Sequence, residues 1–272
     1  PQRCLRAEYL KEFEEAYPFH PELLATLNRK TATIPNFNQT RGALRLLAWT
    51  IRAVWNKHPS RTWLIHLHHI DLSIQQIAED LTARLDRPRF KQVIEADISS
   101  ILGGLPAHAQ PIDTALMASG KPSYAYRTAA TIFINSLTQG IASGIDPSDL
   151  LLSVITPDAF GGGDDPAVIQ TTLEKLYRSA WFLEYDGHQY RFKTEPSLNK
   201  IIEDETAHVG LSKAKAEIEH RVRQIWRKGY LQPEFFPLEP ADIEDDAGIP
   251  HLALMHFDAV STSAEGIAPP DL

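Results

Sequence analysis

Apolar positions recur at helical spacing through most of the chain. Leu5, Tyr9, Leu10 and Phe13 share one face of a helix predicted over residues 5 to 16. Pro18 and Pro21 interrupt it, and Pro21 suits the first turn of a second helix, Glu22 to Asn28, where no backbone donor is needed. Pro35 and Asn36 break the chain before the longest amphipathic segment, Thr40 to Lys57, for which Thr40 is an N-cap. At about 100° per residue, Leu44, Leu47, Ala48, Ile51 and Trp55 form one stripe, predicted to pack, and Arg41, Arg45 and Arg52 form a second beside it.

Thr62 to Ile70 reads as a short strand or buried extended segment, followed by helices from Ser73 to Leu85 and from Phe90 to Leu102, then a loop from Gly103 to Gln110. Helical spacing resumes near Tyr124, with Tyr126 to Thr138, Pro147 to Val154 and Pro166 to Ser179. Trp181 to Tyr185 and His188 to Lys193 flank Asp186-Gly187, a dipeptide that tolerates the positive φ of a tight hairpin turn. Three helices and a hairpin point to a winged-helix-like domain. A further helix runs from Ser212 to Lys228, stopped by Gly229. Leu231 to Gly248, rich in proline and acid, reads as a linker before a β-prone run from Pro250 to Val260.

A chain of 272 residues that is 43% hydrophobic can bury a sizeable core. Its apolar runs fall far short of the roughly 20 residues of a membrane span, so no membrane partner is expected. Cys4 is the only cysteine, which excludes a disulfide framework and fits a cytoplasmic protein. A net charge of −8 argues against a protein dominated by phosphate neutralisation. The start at Pro1 reads as an internal fragment of a longer protein.

Gly42-Ala43-Leu44-Arg45 at the head of an apolar helix has the Gly-x-x-Arg form of the sensor-2 element that closes the nucleotide site of many AAA+ ATPases. A glycine in a first helical turn costs about 1 kcal/mol and marks close backbone approach. The ordinary alternative for these arginines is a surface or core-edge ion pair. No glycine-rich phosphate loop accompanies the motif, and Gly120-Lys121-Pro122-Ser123 lacks the upstream glycine and places a proline where a backbone donor is required. Gly161-Gly162-Gly163-Asp164-Asp165 reads as a turn whose acids would repel phosphate.

His66, His68, His69 and Asp71 invite a metal reading, but no third ligand position is specified, and structural histidines fit the pattern better. No nucleophile-elbow pattern is present, so independent hydrolase chemistry is not expected. Lys175 and Arg178 on the putative-recognition position of the third helix, with Arg191 and Lys193 on the hairpin, are the candidate nucleic-acid contacts. Asp164, Asp165, Glu174, Glu184 and Asp186 oppose that field.

Several segments together carry a family resemblance: Tyr17-Pro18-Phe19-His20-Pro21, the run from Asn36 to Leu47, Val93 to Ile98, Trp181-Phe182-Leu183 with Tyr190-Arg191-Phe192, and Pro196 to Ile202. On these the chain resembles the large bacterial proteins grouped as a domain of unknown function, DUF499, which are AAA+ ATPases by prediction and related to the ATPases of phage-exclusion gene clusters. The resemblance implies a mainly α, α+β fold: a lid-like helical bundle at 1–60, a helical connecting region at 61–123, and a winged-helix-like domain with its following helix at 124–230. A linker at 231–248 and the start of a further domain at 249–272 complete it. It also implies ATP and Mg in the full-length protein, none in the fragment, with Arg45 sensing nucleotide and Arg41 and Gly42 beside it. The implied partners are an upstream ATPase core of the same chain, DNA, and other defence-system proteins. A nucleic-acid-binding module and a protein-docking adaptor with no ATPase role are the alternatives.

Overall fold

A computed structural model describes residues 6–31, 39–57, 62–84, 89–101, 104–137, 143–156, 163–226, 230–237, 240–243 and 248–256. Ile34 to Asn38, Gly161 and Gly162 lie outside the described residues, as does the side chain of Arg41. The chain is mainly helical with two small sheets, and it divides into two compact units, residues 1–204 and 205–272.

The first unit opens with α1 (Ala7–Ala16), α2 (Pro21–Thr31) and α3 (Gln39–Lys57). Between α1 and α2, Phe19 forms a parallel bridge with Ile65: the Ile65 N–H donates to the Pro18 carbonyl and the His20 N–H to the Ile65 carbonyl, both at 2.9 Å. The expected strand at 62–70 reduces to this one bridge, and Leu67–His69 turns as a 3-10 helix instead. The stripe expected to pack on α3 is also corrected. Leu46, Thr50 and Ala53 are the buried positions, while Leu44, Ala48, Ile51 and Trp55 face outward and Leu47 lies between. The helix has apolar residues on both sides, so periodicity alone could not choose. The buried side is the one with small residues, and Thr50 satisfies its hydroxyl on the Leu46 carbonyl at 2.8 Å, as a buried threonine must.

Helix α4 (Gln75–Arg84) and α5 (Arg89–Val93) follow, and α5 runs into a π-helical turn, Ile94–Ile98. That turn ends the helix earlier than the sequence predicts, with the Ser99 N–H bonded to the Ile94 carbonyl at 2.8 Å. Helix α6 (Ala109–Ala118) occupies a stretch for which the sequence reading placed no helix.

Helix α7 (Tyr124–Ser136) is buried around most of its circumference and forms the axis of the unit. Its buried polar side chains close on their own helix: Thr131 donates to the Arg127 carbonyl, Asn135 to Thr131 and Ser136 to Ile132, at 2.7 to 2.8 Å. Helices α8 (Pro147–Val154) and α9 (Pro166–Ser179) start where their sequences say, each with proline in the first turn after a capping aspartate. Asp146 accepts the N–H groups of Ser148 and Asp149 at 3.0 Å, and Asp165 that of Ala167 at 2.9 Å.

The hairpin of β1 (Leu183–Tyr185) and β2 (Tyr190–Phe192) pairs Leu183 with Phe192 and Tyr185 with Tyr190. Gly187 takes φ +92° in its turn, and Asp186 accepts the N–H groups of His188 and Gln189. Ile145, between α7 and α8, bridges antiparallel to Tyr190 by two backbone hydrogen bonds of 3.0 and 2.8 Å. Gly144 adopts φ +111°, and a Cβ there would sit 2.8 Å from the Tyr190 carbonyl oxygen, so the bridge requires glycine.

Helix α10 (Leu198–Ile225) runs across the division between the units and is broken at Gly210, at φ 71°. It starts well before the predicted Ser212. In the second unit β3 (Gln232–Phe235), within the stretch read as a linker, pairs parallel with β4 (His251–Leu254). There Arg223 stacks on the rings of Phe235 and Phe236 at 5.0 and 5.3 Å, and His256 meets Glu219 at 3.1 Å.

Candidate functional site

Arg45 projects from α3 toward α4. Its Nε and Nη2 both reach the same Asp80 oxygen, at 3.2 and 2.9 Å, and the arginine side chain is 31% exposed. Gly42, one turn earlier, is buried. The pair spans 35 positions of sequence and ties two helices together. Because both contacts converge on one oxygen, the guanidinium does not form the two parallel bonds of a bidentate fork.

The four candidate nucleic-acid contacts separate into two groups. Lys175 and Arg178 are exposed on α9. On the hairpin, Arg191 meets Glu184 at 3.0 Å and Asp186 at 3.7 Å, and Lys193 meets Glu184 at 2.6 Å. The hairpin's positive charge is thus neutralised by its own carboxylates. Burial works to raise Glu184, but the hydrogen bonds from Lys193 and Arg191 outweigh it and hold its carboxyl below the usual value.

The histidines of 66–69 form a stack with His20. His66 lies 4.6 Å from His20 and 5.1 Å from His68, and His68 lies 4.4 Å from His69, measured between ring centroids. His66 Nδ1 donates to the Ser153 carbonyl at 2.9 Å, and His69 Nδ1 accepts the His66 N–H at 2.9 Å. Burial lowers His66 to about 4 and His69 to about 3, and drives His68 well below its ordinary value, so the stack is neutral at pH 7. Among the described residues, no three His, Cys, Asp or Glu side chains are grouped to hold a metal ion.

Beside this stack lies a cavity of about 720 Å³ lined by Lys57, Asp71, Asp113, Tyr126, Arg127 and Asp164 among others. Lys57 pairs with Asp71, and Arg127 pairs with Asp164 at 3.0 Å. Asp113 accepts the N–H groups of Ala125 and Tyr126 at the start of α7, both at 2.8 Å, and burial pushes its carboxyl up to about 6. For Asp71, burial acts upward, but the hydrogen bonds from Lys57 and Ser73 prevail and hold it below the usual carboxylate range. Each cation in this wall already has its carboxylate, so the cavity offers a phosphate no uncompensated positive charge. Gly120 to Ser123, at its edge, shows the same lack: Lys121 is exposed, and the Pro122 carbonyl accepts the Tyr124 N–H at 2.9 Å.

Two of the quoted motifs meet at Asp97. This fully buried carboxylate accepts the N–H groups of Trp181 and Phe182 at 2.9 and 2.8 Å and contacts His108 Nδ1 at 2.8 Å. Residues 4–193 match the family model described as the DUF499 second domain. The chain belongs to the DUF499 family. The match takes in Asp97, the histidine stack and Arg45 and ends just after β2, whereas Pro196 to Ile202 lies outside it. No curated protein and no solved structure matches this DUF499 chain. No helix among its described residues is long and apolar enough to cross a membrane.

Proposed function

We propose that this DUF499 second domain is the non-catalytic, nucleotide-responsive part of a larger AAA+ ATPase, with Arg45 reporting the state of a nucleotide bound by other parts of the full-length protein. The observation that carries the reading is the arrangement at the head of α3: buried Gly42, then Arg45 held at a partly exposed edge by one oxygen of Asp80. A partly exposed ion pair is worth about 0–1 kcal/mol, whereas charge-assisted hydrogen bonds to a phosphate are worth about 1.5–3 kcal/mol. A γ-phosphate, with its Mg, therefore displaces Asp80 at little cost, and hydrolysis returns Arg45 to it. Arg41, on the same flank of α3, is the second contact in this reading. The test is ATP turnover by the full-length protein with Arg45→Ala.

The order α7, Ile145 bridge, α8, α9, β1, β2 supports reading residues 124–192 as a winged helix, because the bridge adds a third short strand to the hairpin. Its role in this account is to dock protein, with DNA as the alternative occupant. The pairing of Arg191 and Lys193 with Glu184 favours protein, since a wing that contacts phosphates needs cations not already spent on carboxylates. Lys175 and Arg178 would carry the DNA reading. The resemblance to ATPases of phage-exclusion clusters makes defence-system proteins the first partners to test.

A further inference from the structure

The outward side of α3 carries a seam. Leu44, Ala48, Ile51 and Trp55 follow one another at spacings of four, three and four, the spacing by which one helix receives the side chains of another. Leu44 is 60% exposed, Ile51 44% and Trp55 72%. At about 100° per residue these four lie within about 60° of arc, with Arg52 on one flank. Helix α3 contains four basic residues, Arg41, Arg45, Arg52 and Lys57, and no acidic one, in a chain whose net charge is −8.

The complementary surface is present on the same molecule. None of the residues of α1 is buried, and the helix carries Glu8, Glu12, Glu14 and Glu15 against the single base Lys11. Leu10 and Tyr17, one heptad apart, are 65% and 67% exposed, with Glu14 between them on the same face. We infer that α1 of a second copy of this chain docks along the Leu44–Ala48–Ile51–Trp55 seam of α3, with Glu14 facing Arg52.

Two α3 seams meeting each other would oppose Arg52 to Arg52, and α1 against α3 opposes acid to base. Burying Leu10 and Tyr17 against Leu44, Ile51 and Trp55 removes apolar area from water at about 25 cal/mol per Å², which supplies the attraction that the charges orient. The inference goes beyond the nucleotide reading and does not depend on it.

Sedimentation of the chain over a concentration series tests it, with Leu10→Glu, Ile51→Glu and an equimolar mixture of the two. The expected result is self-association weakened at least about tenfold by either change alone, with unchanged thermal midpoints because both residues are exposed. The mixture regains association, because one intact α1 face meets one intact α3 seam. Exchange of charge by Glu14→Lys with Arg52→Glu restores what either change alone weakens. A wild-type chain that stays monomeric overturns the inference, and so does self-association that Leu10→Glu leaves untouched.

Discussion

Asp97 accepts the backbone N–H of Phe182 at 2.8 Å across 85 positions of sequence, and this bond fastens the entry to the hairpin onto the π-helical turn after α5. Neither Trp181 nor Phe182 is in regular secondary structure at that point, so a side chain must supply the acceptors that a strand or helix would have given. Lys200 completes the same junction, donating to the carbonyls of Ala180 at 3.0 Å and Leu183 at 2.8 Å. Replacing Asp97 with alanine leaves two backbone donors without this acceptor and is predicted to cost on the order of 3 kcal/mol or more. Asp97→Asn, which keeps one acceptor oxygen, is predicted to cost about half as much. Urea unfolding of the three proteins measures both; equal stability of Asp97→Ala and wild type would remove Asp97 from this role.

The histidine stack makes the fold sensitive to mild acid. His66 and His69 have ordinary values of 6.5 that burial lowers to about 4 and about 3. Below pH 6.5 the unfolded chain takes up protons on these rings while the folded chain does not. Stability therefore falls with pH by up to about 1.4 kcal/mol per unit for each group until its folded value is reached. His68 acts in the same direction, and so does Asp71, whose depressed carboxyl stabilises the fold only while ionised. Asp113 opposes them, because its folded value of about 6 lies above the ordinary 3.8 and favours the fold as it protonates. Three histidines outweigh one aspartate, so the urea midpoint is predicted to drop between pH 7 and pH 5, and less steeply in His68→Leu. A midpoint that is flat or rises toward pH 5 contradicts the buried neutral stack.

Gly144→Ala places a methyl group 2.8 Å from the Tyr190 carbonyl oxygen at a φ of +111°. The predicted loss is about 1–3 kcal/mol, from strain and a weakened Ile145–Tyr190 bridge. Differential scanning calorimetry should show a thermal midpoint lower by several degrees. An unchanged midpoint would mean that the bridge yields without cost.

For the hairpin, duplex DNA binding measured by fluorescence anisotropy at several salt concentrations is the relevant quantity. The wild-type chain is predicted to bind weakly with a shallow salt dependence. Glu184→Gln with Asp186→Asn releases Arg191 and Lys193 and is predicted to steepen the salt slope by about two. Tight wild-type binding that falls away with Lys175→Ala or Arg178→Ala would favour the DNA reading over protein docking.

Much of this architecture was legible in local chemistry. The Asp-Pro starts of α8 and α9 and the Asp186-Gly187 turn appear where the sequence puts them, because capping and turn chemistry are decided within a few residues. Tertiary structure decided the rest. Helix α3 holds apolar residues on two sides, and only its neighbours determine which side is covered. His66 and His68 look like alternate positions of a strand, yet a single bridge at Ile65 and the turn after it stack them instead. Arg45 was visible as a motif; its partner Asp80, on a different helix, had no signal near it in the sequence. The role of Asp97 was hidden for the same reason, since its acceptors serve residues 84 and 85 positions away.

ATP turnover by the full-length protein, compared among wild type, Arg45→Ala and Asp80→Ala, tests the central claim most directly. The account predicts that Arg45→Ala lowers turnover about tenfold or more, the kinetic equivalent of losing a charge-assisted hydrogen bond to the nucleotide, and that Asp80→Ala leaves it intact. Both changes should lower the thermal midpoint by the same small amount, because both break the same ion pair. If neither change alters turnover while both destabilise equally, Arg45 is a strut between α3 and α4 and does not sense nucleotide.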